Sequence, residues 1–165
     1  DVYGNNKYNI DEKVYPINDP KNHYGNNRLQ LENFIIENFK KHYIIRMPGL
    51  FGNYLKKNII YDLLNNNLVD KKINLLDEYQ WFYLNNLKDI FQIISNKEKI
   101  ILNVATPPIS NKELLKLFNN INIETLEESK IKYNMKSLYS SNGYFFSKEQ
   151  IFNDLKKFID EYRNI

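Results

Sequence analysis

Two side chains in the stretch His23 to Glu32, HYGNNRLQLE, could do chemistry together: Tyr24 and Arg28, four positions apart at the start of a predicted helix. Positions i and i+4 lie one above the other on a helix face, so both point at whatever lies alongside. A fixed cation near a phenol favours the phenolate, which lets such a tyrosine exchange a proton with a carbonyl or hydroxyl group. The same spacing is met by an ordinary amphipathic surface tyrosine with a solvated charge one turn on. Taken alone, Tyr-x-x-x-Arg favours that plainer reading, and any greater weight must come from its setting.

Composition bounds that setting. The chain has 165 residues, 42% of them hydrophobic, enough for one domain with a buried core. No apolar run approaches the roughly 20 residues of a membrane span, and the opening DVYGNN is no signal peptide. The expectation is a cytoplasmic protein with no membrane partner. Cysteine is absent and histidine occurs only as His23 and His42, so no metal site is expected, and His23 reads as a loop residue. The net charge of +3 is dispersed, with no long basic block, which argues against a nucleic-acid partner. With 5 glycines the sequence holds neither a G-x-G-x-x-G loop nor a P-loop.

The elements that would position the pair alternate. Residues to Asn22, with Pro16 and Pro20, read as a surface loop after a short apolar stub. A helix from Tyr24 should bury Leu31, Phe34, Ile35 and Phe39 and end near Lys40-Lys41, where cations suit the carbonyl end of the dipole. Tyr43 to Met47 reads as a buried strand stopped by Pro48-Gly49. Leu55 to Asn66 and Leu84 to Ser95 read as helices, Lys71 to Leu75 and Ile121 to Leu126 as strands, and the aromatic stretch Tyr79 to Tyr83 as extended. Lys99 to Val104 is the clearest strand, ended by Pro107-Pro108. Ser110 with Glu113 and Ser147 with Gln150 are capping boxes, the second opening a helix with Ile151, Phe152, Leu155, Phe158, Ile159 and Tyr162 inward. Between Glu127 and Phe146 there is no clear period. Such alternation predicts a layered α/β domain with a largely parallel sheet, in which the carboxyl ends of strands, here Pro48 and Gly49, hold ligands. A plain strand-ending turn is the competing account of those two residues.

Several stretches also fall in a recognisable order: Val2-Tyr3-Gly4; Tyr24-Gly25-x-x-Arg28 with Glu32; Arg46-Met47-Pro48-Gly49-Leu50-Phe51-Gly52; Trp81-Phe82-Tyr83-Leu84-Asn85-Asn86-Leu87; and Leu102-Asn103-Val104. Together they resemble the second half of an extended short-chain dehydrogenase/reductase, the group of nucleotide-sugar epimerases, dehydratases and dTDP-4-dehydrorhamnose reductases. The resemblance implies the C-terminal part of a Rossmann-like parallel sheet with flanking helices and a small substrate-binding portion. It implies a fragment, since the glycine-rich dinucleotide-binding half and a catalytic Ser or Thr would lie before Asp1. The cofactor would be NAD or NADP, with its main binding loop outside this chain.

By the same resemblance Tyr24 is the acid/base, Arg28 stands where the family carries Lys, and both meet the cofactor, with the backbone of Pro48 facing the nicotinamide. Gly49 takes the place of a substrate-binding Asn, Tyr79 or Gln80 lies where an Arg often clamps the substrate phosphate, and Asn85-Asn86 replace an acidic pair. A guanidinium does not deprotonate in proteins, so Arg28 can steady a phenolate or donate to a ribose but cannot relay a proton. Tyr79, Gln80 and Trp81 could line a sugar pocket, although a packed aromatic strand accounts better for Trp81. The expected function is an NAD(P)-dependent nucleotide-sugar epimerase, dehydratase or reductase. The alternative is a catalytically degenerate relative that binds a nucleotide or a protein partner without turnover. The resemblance also implies a homodimer through the helix beginning at Tyr24.

Overall fold

Branched apolar side chains such as those of Tyr43 to Met47 and Lys99 to Val104 suit a pleated ribbon covered on both faces. In the computed structural model, which describes residues 2–4, 8–68, 72–118 and 123–164, these two runs lie side by side. The first part of the chain forms β1 (Tyr8–Ile10), α1 (His23–Asn38), β2 (His42–Arg46), β3 (Gly49–Phe51), α2 (Ile59–Leu64) and β4 (Lys72–Asn74). The second part forms β5 (Glu78–Tyr79), β6 (Trp81–Tyr83), α3 (Leu87–Ile94), β7 (Lys99–Asn103), β8 (Ile109–Ser110), α4 (Asn111–Leu115), β9 (Glu124–Leu126), β10 (Asn134–Met135) and α5 (Lys148–Arg163).

The pairs β2·β7, β3·β6, β4·β9 and β1·β10 are parallel, and β5·β8 is antiparallel. In the β2·β7 pair Tyr43 faces Ile100 and Arg46 faces Asn103 in parallel register, but β2 is not the buried strand expected: of its five residues only Ile44 is buried and Tyr43 is exposed, so β2 is largely half-covered. Among the described residues the strands form five two-stranded pairs rather than one wide ladder. None of the described helices is long and apolar enough to cross a membrane.

The larger apolar cluster is built where α5 lies over β3 and β6. Phe51 and Tyr83 stack at 5.0 Å, and Phe158 meets both rings at 5.9 and 6.2 Å. Each such ring buried is worth about 1.5–3 kcal/mol. Ser147 caps α5 by accepting from the Gln150 amide, and Ser110 with Glu113 forms a full capping box on α4. A second, smaller cluster joins Val2, Tyr3, Ile10 and Leu29, with Val14 and Met135 against it.

Several expectations need correction. The helix α1 buries Gly25 and Leu29, whereas Leu31, Phe34 and Phe39 are exposed. Its inward side carries Gly25, Leu29 and the half-buried Glu32, with Tyr24 and Arg28 exposed at the cavity's rim, so apolar spacing pointed to the wrong face. It ends at Asn38, with Phe39 as the cap and no basic residue in its last turn. His23 is the first residue of α1, not part of the loop. The second helix starts at Ile59 instead of Leu55, because Asn58, at φ 126°, turns the chain and caps the amides of Ile60 and Tyr61. The helix expected from Leu84 begins as a 3-10 turn over Leu84–Asn86, and Phe91 on α3 is exposed. Strands β1 and β10 lie in stretches read as loops. Lys71, Ile121 and Asn122, at the starts of two expected strands, are outside the described residues, as is Asp1.

Candidate active site

A cavity of about 570 Å³ opens between the two apolar clusters, within the roughly 300–1,000 Å³ usual for small-molecule sites. Its walls come from α1, from the turn joining β2 to β3, from the β5–β6 segment, and from Val2, Tyr3, Ile10, Tyr133 and Met135. Tyr24, Arg28, Pro48, Gly49, Tyr79 and Gln80 all border it. These six are scattered over more than fifty positions of sequence, and the fold gathers them around one space.

Helix α1 delivers the first two. The Asn22 side chain accepts from the Gly25 amide at 3.0 Å, and the Asn26 amide bonds both ways with the Asp19 backbone, at 2.8 and 3.0 Å. This cap fixes where the helix starts and so where Tyr24 stands. Tyr24 is 62% exposed, and the Arg28 guanidinium carbon lies 5.2 Å from its ring centroid. The i, i+4 neighbours therefore meet as a cation over an aromatic face, an attraction of about 0.5–1 kcal/mol at an exposed site. No described carboxylate pairs with Arg28, so it stands at the cavity as an uncompensated positive charge.

The other charged residues lining the cavity neutralise each other. Arg46, at the end of β2, donates from Nη2 and Nε to the Glu32 carboxylate at 2.7 and 3.1 Å, with only 9% and 12% of the two side chains exposed. Its Nη1 donates to the Tyr3 hydroxyl at 2.6 Å, which in turn donates to Asn103 Oδ1 at 3.0 Å. Burial opposes the charge on Arg46, but Glu32 and Tyr3 outweigh it and hold the guanidinium's pKa above the usual value. Burial likewise raises the Tyr3 phenol, against the pull of Arg46 and Asn103. Sequence reasoning quoted Tyr3, Glu32 and Arg46 as motif residues without assigning them a role. The available signal was a charge inside an otherwise apolar strand, which must find a partner.

The substrate-side positions differ in what they offer. Gly49 pairs with Trp81 across β3·β6, and a Cβ there would lie 2.9 Å from two indole carbons and 3.0 Å from the Gln80 carbonyl. Trp81, 4% exposed, thus occupies the space that a side chain at position 49 would need. It is packed, as the plainer reading of the aromatic strand held. Gln80 is buried with its amide fully engaged: Nε2 donates to the carbonyls of Thr106 and Met135, and Oε1 accepts from the Met135 amide at 2.7 Å. It shapes the wall by tying β10 to the strand. Tyr79 stacks on Tyr133 at 5.6 Å, and burial, with Asp77 and Tyr133 beside it, pushes its phenol up to about 12, so it stays a neutral donor. Asn85 donates to the Tyr83 hydroxyl and Asn86 to Asp154 on α5, both at 2.8 Å and outside the cavity lining.

Residues 2–80, just under half of the chain, match the RmlD substrate-binding-domain family. No curated protein matches the sequence significantly. Among solved structures, a dTDP-4-dehydrorhamnose reductase from Clostridium acetobutylicum superposes with TM-score 0.72 at 17% identity, over 98% of this chain and 63% of that one. A dTDP-glucose 4,6-dehydratase from Bacillus anthracis, in complex with NAD, gives 0.68 at 17% identity, over 99% and 59%. A UDP-glucose 4-epimerase from Thermotoga maritima, with UDP-glucose, gives 0.68 at 14%, over 99% and 60%. The chain spans about three-fifths of the length of these structures. With the parallel pairs and the strand-end cavity, these likenesses show the fold: this chain has a Rossmann-like α/β architecture shared with nucleotide-sugar dehydratase, epimerase and reductase structures over about three-fifths of their length.

Proposed function

We propose that the protein is an NAD- or NADP-dependent epimerase, dehydratase or reductase of a nucleotide-activated sugar, with Tyr24 as acid/base and Arg28 as its cationic helper. The observation that carries this reading is the convergence of Tyr24, Arg28, Pro48, Gly49, Tyr79 and Gln80 on one cavity. An uncompensated cation and a phenol stand on one side of it, and a stacked tyrosine pair on the other. That combination suits an anionic ligand bearing a sugar, and relatives crystallised with NAD or UDP-glucose favour the same class.

When bound, the nicotinamide supplies the acceptor and donor of the electron pair. Tyr24, Arg28 and the Pro48 backbone are the groups of this chain suited to its ribose end, since a guanidinium without a carboxylate partner can donate to ribose hydroxyls. The pyrophosphate needs a glycine-rich loop that these residues do not include. The Tyr24 hydroxyl holds or gives the proton at the reacting oxygen, with the Arg28 guanidinium held over its ring. Tyr79 offers a neutral hydroxyl donor, Gly49 leaves backbone rather than a side chain at its strand end, and Gln80 holds the wall. The exposed Leu31, Phe34 and Phe39 on α1 would face the second copy of a homodimer.

Turnover of UDP- and dTDP-sugars by the whole protein tests the assignment. Tyr24→Phe keeps the ring and the cation over it, and should lower turnover by about 10²-fold or more with little change in thermal stability. Arg28→Lys, restoring the cation usual in the family, should preserve or raise activity. Intact turnover in Tyr24→Phe, or none with any nucleotide sugar, would leave the binding-only relative as the account.

A further inference from the structure

We propose that Arg46 is the positioning residue for the Tyr24–Arg28 pair, acting through Glu32 on the same helix face; this rests on the reading of Tyr24 as the reacting tyrosine. Tyr24, Arg28 and Glu32 are spaced i, i+4 and i+8, and all three border the cavity. Helix α1 has little apolar grip to set its rotation. Leu29 is its one large buried apolar residue, while Leu31, Phe34, Ile36 and Phe39 are exposed. Polar bonds must supply the orientation instead. Those at Asn22 and Asn26 fix the start of the helix but not its roll one or two turns on.

The Glu32–Arg46 fork supplies that roll. It is a two-toothed contact, planar on both sides, and so defines direction as well as distance. Arg46 is itself held on a strand in parallel register with β7. Its third donor reaches Tyr3, which reaches Asn103, and the Asn103 amide donates to Glu12 Oε1 at 2.8 Å. Glu12 also accepts from Ser137 Oγ and the Leu138 amide, both at 2.8 Å. One guanidinium thus refers the helix carrying the Tyr24–Arg28 pair to the strands and the strap that wall the rest of the cavity. Lysine at 46 would keep the charge but not the fork.

Fluorotyrosine placed at position 24 of the whole protein provides the readout, with Arg28→Gln giving the fluorine resonance of a ring deprived of its cation. In Glu32→Gln, which keeps the side-chain shape, the resonance should move toward that reference. Amide exchange at Gly25–Leu29 should accelerate by about tenfold or more, while Ile44 and Ile45 on β2 keep their protection. Arg46→Lys should fall between the wild type and Glu32→Gln. An unmoved resonance in Glu32→Gln, or loss of protection spread equally over α1 and β2, would overturn the proposal and leave the ion pair as general support. Should Arg46→Lys not fold, Glu32→Gln decides alone. The readout needs no turnover, so it stands apart from the failure of the enzymatic assignment.

Discussion

Gly49→Ala puts the argument about the strand end to a quantitative test. The added Cβ would sit 2.9 Å from Trp81 Cε3 and Cζ3 and 3.0 Å from the Gln80 carbonyl. Carbon pairs are at their best near 3.5–4.0 Å, so the overlap is about 0.6 Å or more on two ring atoms. Neither neighbour yields easily. The indole is almost wholly buried and flanked by Tyr79 at 6.1 Å, and the Gln80 carbonyl accepts from the Gly49 amide at 3.0 Å.

Overpacking of this kind costs about 1–3 kcal/mol, and the reduced freedom of the unfolded chain returns about 0.4–1 kcal/mol. The net loss is roughly 0–2.6 kcal/mol, with a midpoint of about 1.3 kcal/mol, or up to about 10 °C in Tm for a chain of this length. Urea denaturation followed by circular dichroism gives the difference directly, and Trp81, the sole tryptophan, provides an independent fluorescence signal. In a Trp81→Leu background the penalty should shrink or change sign, a coupling of about 1 kcal/mol between contacting residues. A Gly49→Ala effect that is the same with and without the indole would refute the claim that Trp81 excludes a side chain from position 49. Gly49→Asn, the residue that the family resemblance implies at this position, should gain no activity while Trp81 is present.

Tyr79, raised from 10.0 to about 12 by burial and then by Asp77 and Tyr133, should remain protonated through pH 10.0 in a carbon-13 tyrosine titration; ionisation at its ordinary value would contradict the packing described. Because its folded pKa exceeds the unfolded one, its stabilising contribution is complete below pH 10.0 and is lost as pH rises toward about 12. Burial pushes Glu113 up, but bonds from Lys148 and Ser110 outweigh it and lower its pKa below 4.5, so its contribution is present above 4.5 and lost as pH falls through the folded value. The Tm gap between wild type and Glu113→Gln, present at neutral pH, should therefore close in acid; a gap that persists there would count against the assignment. Phe34→Glu on the exposed face of α1 should convert a dimer to monomer by light scattering with unchanged Tm, and an unaltered mass would remove that face from the interface.

The strands β2 and β7 were legible because continuous branched side chains flanked by turn residues admit few other conformations. The face of α1 was not. Leu31, Phe34 and Phe39 have helical spacing, but spacing reports which residues are apolar, not which side meets the rest of the protein. The buried side of that helix is set by Gly25, Leu29 and the half-buried Glu32, a small, a single apolar and a charged residue that make no apolar stripe. Strands β1 and β10, with three and two residues, are too short to carry a period at all. Ordered motifs held four of the residues that border the cavity, Tyr24, Arg28, Pro48 and Gly49, and the family resemblance added Tyr79 and Gln80, yet Gln80 proved to be spent on Thr106 and Met135 rather than free to meet a ligand. The Arg46 fork depends on partners 14 and 43 positions away, a juxtaposition that only the folded chain makes.

The pairing of β1 with β10 also bears on the order in which the molecule assembles. Asn9 and Asn134, bonded at 2.7 Å, are 125 residues apart, whereas Gly49 and Trp81 are much nearer along the chain. Each doubling of a loop adds only about 0.6 kcal/mol to its closure, a minor term for the finished fold. It weighs more on time, since distant contacts must wait for remote stretches of the chain to find each other. The ladder around β3 and β6 can therefore form early, and the wall carrying Ile10 and Met135 closes late. The cavity, which borrows surface from both, needs the late contact to be complete, and amide exchange at Ile10 and Met135 faster than at Phe51 and Phe82 is the expected sign of that order.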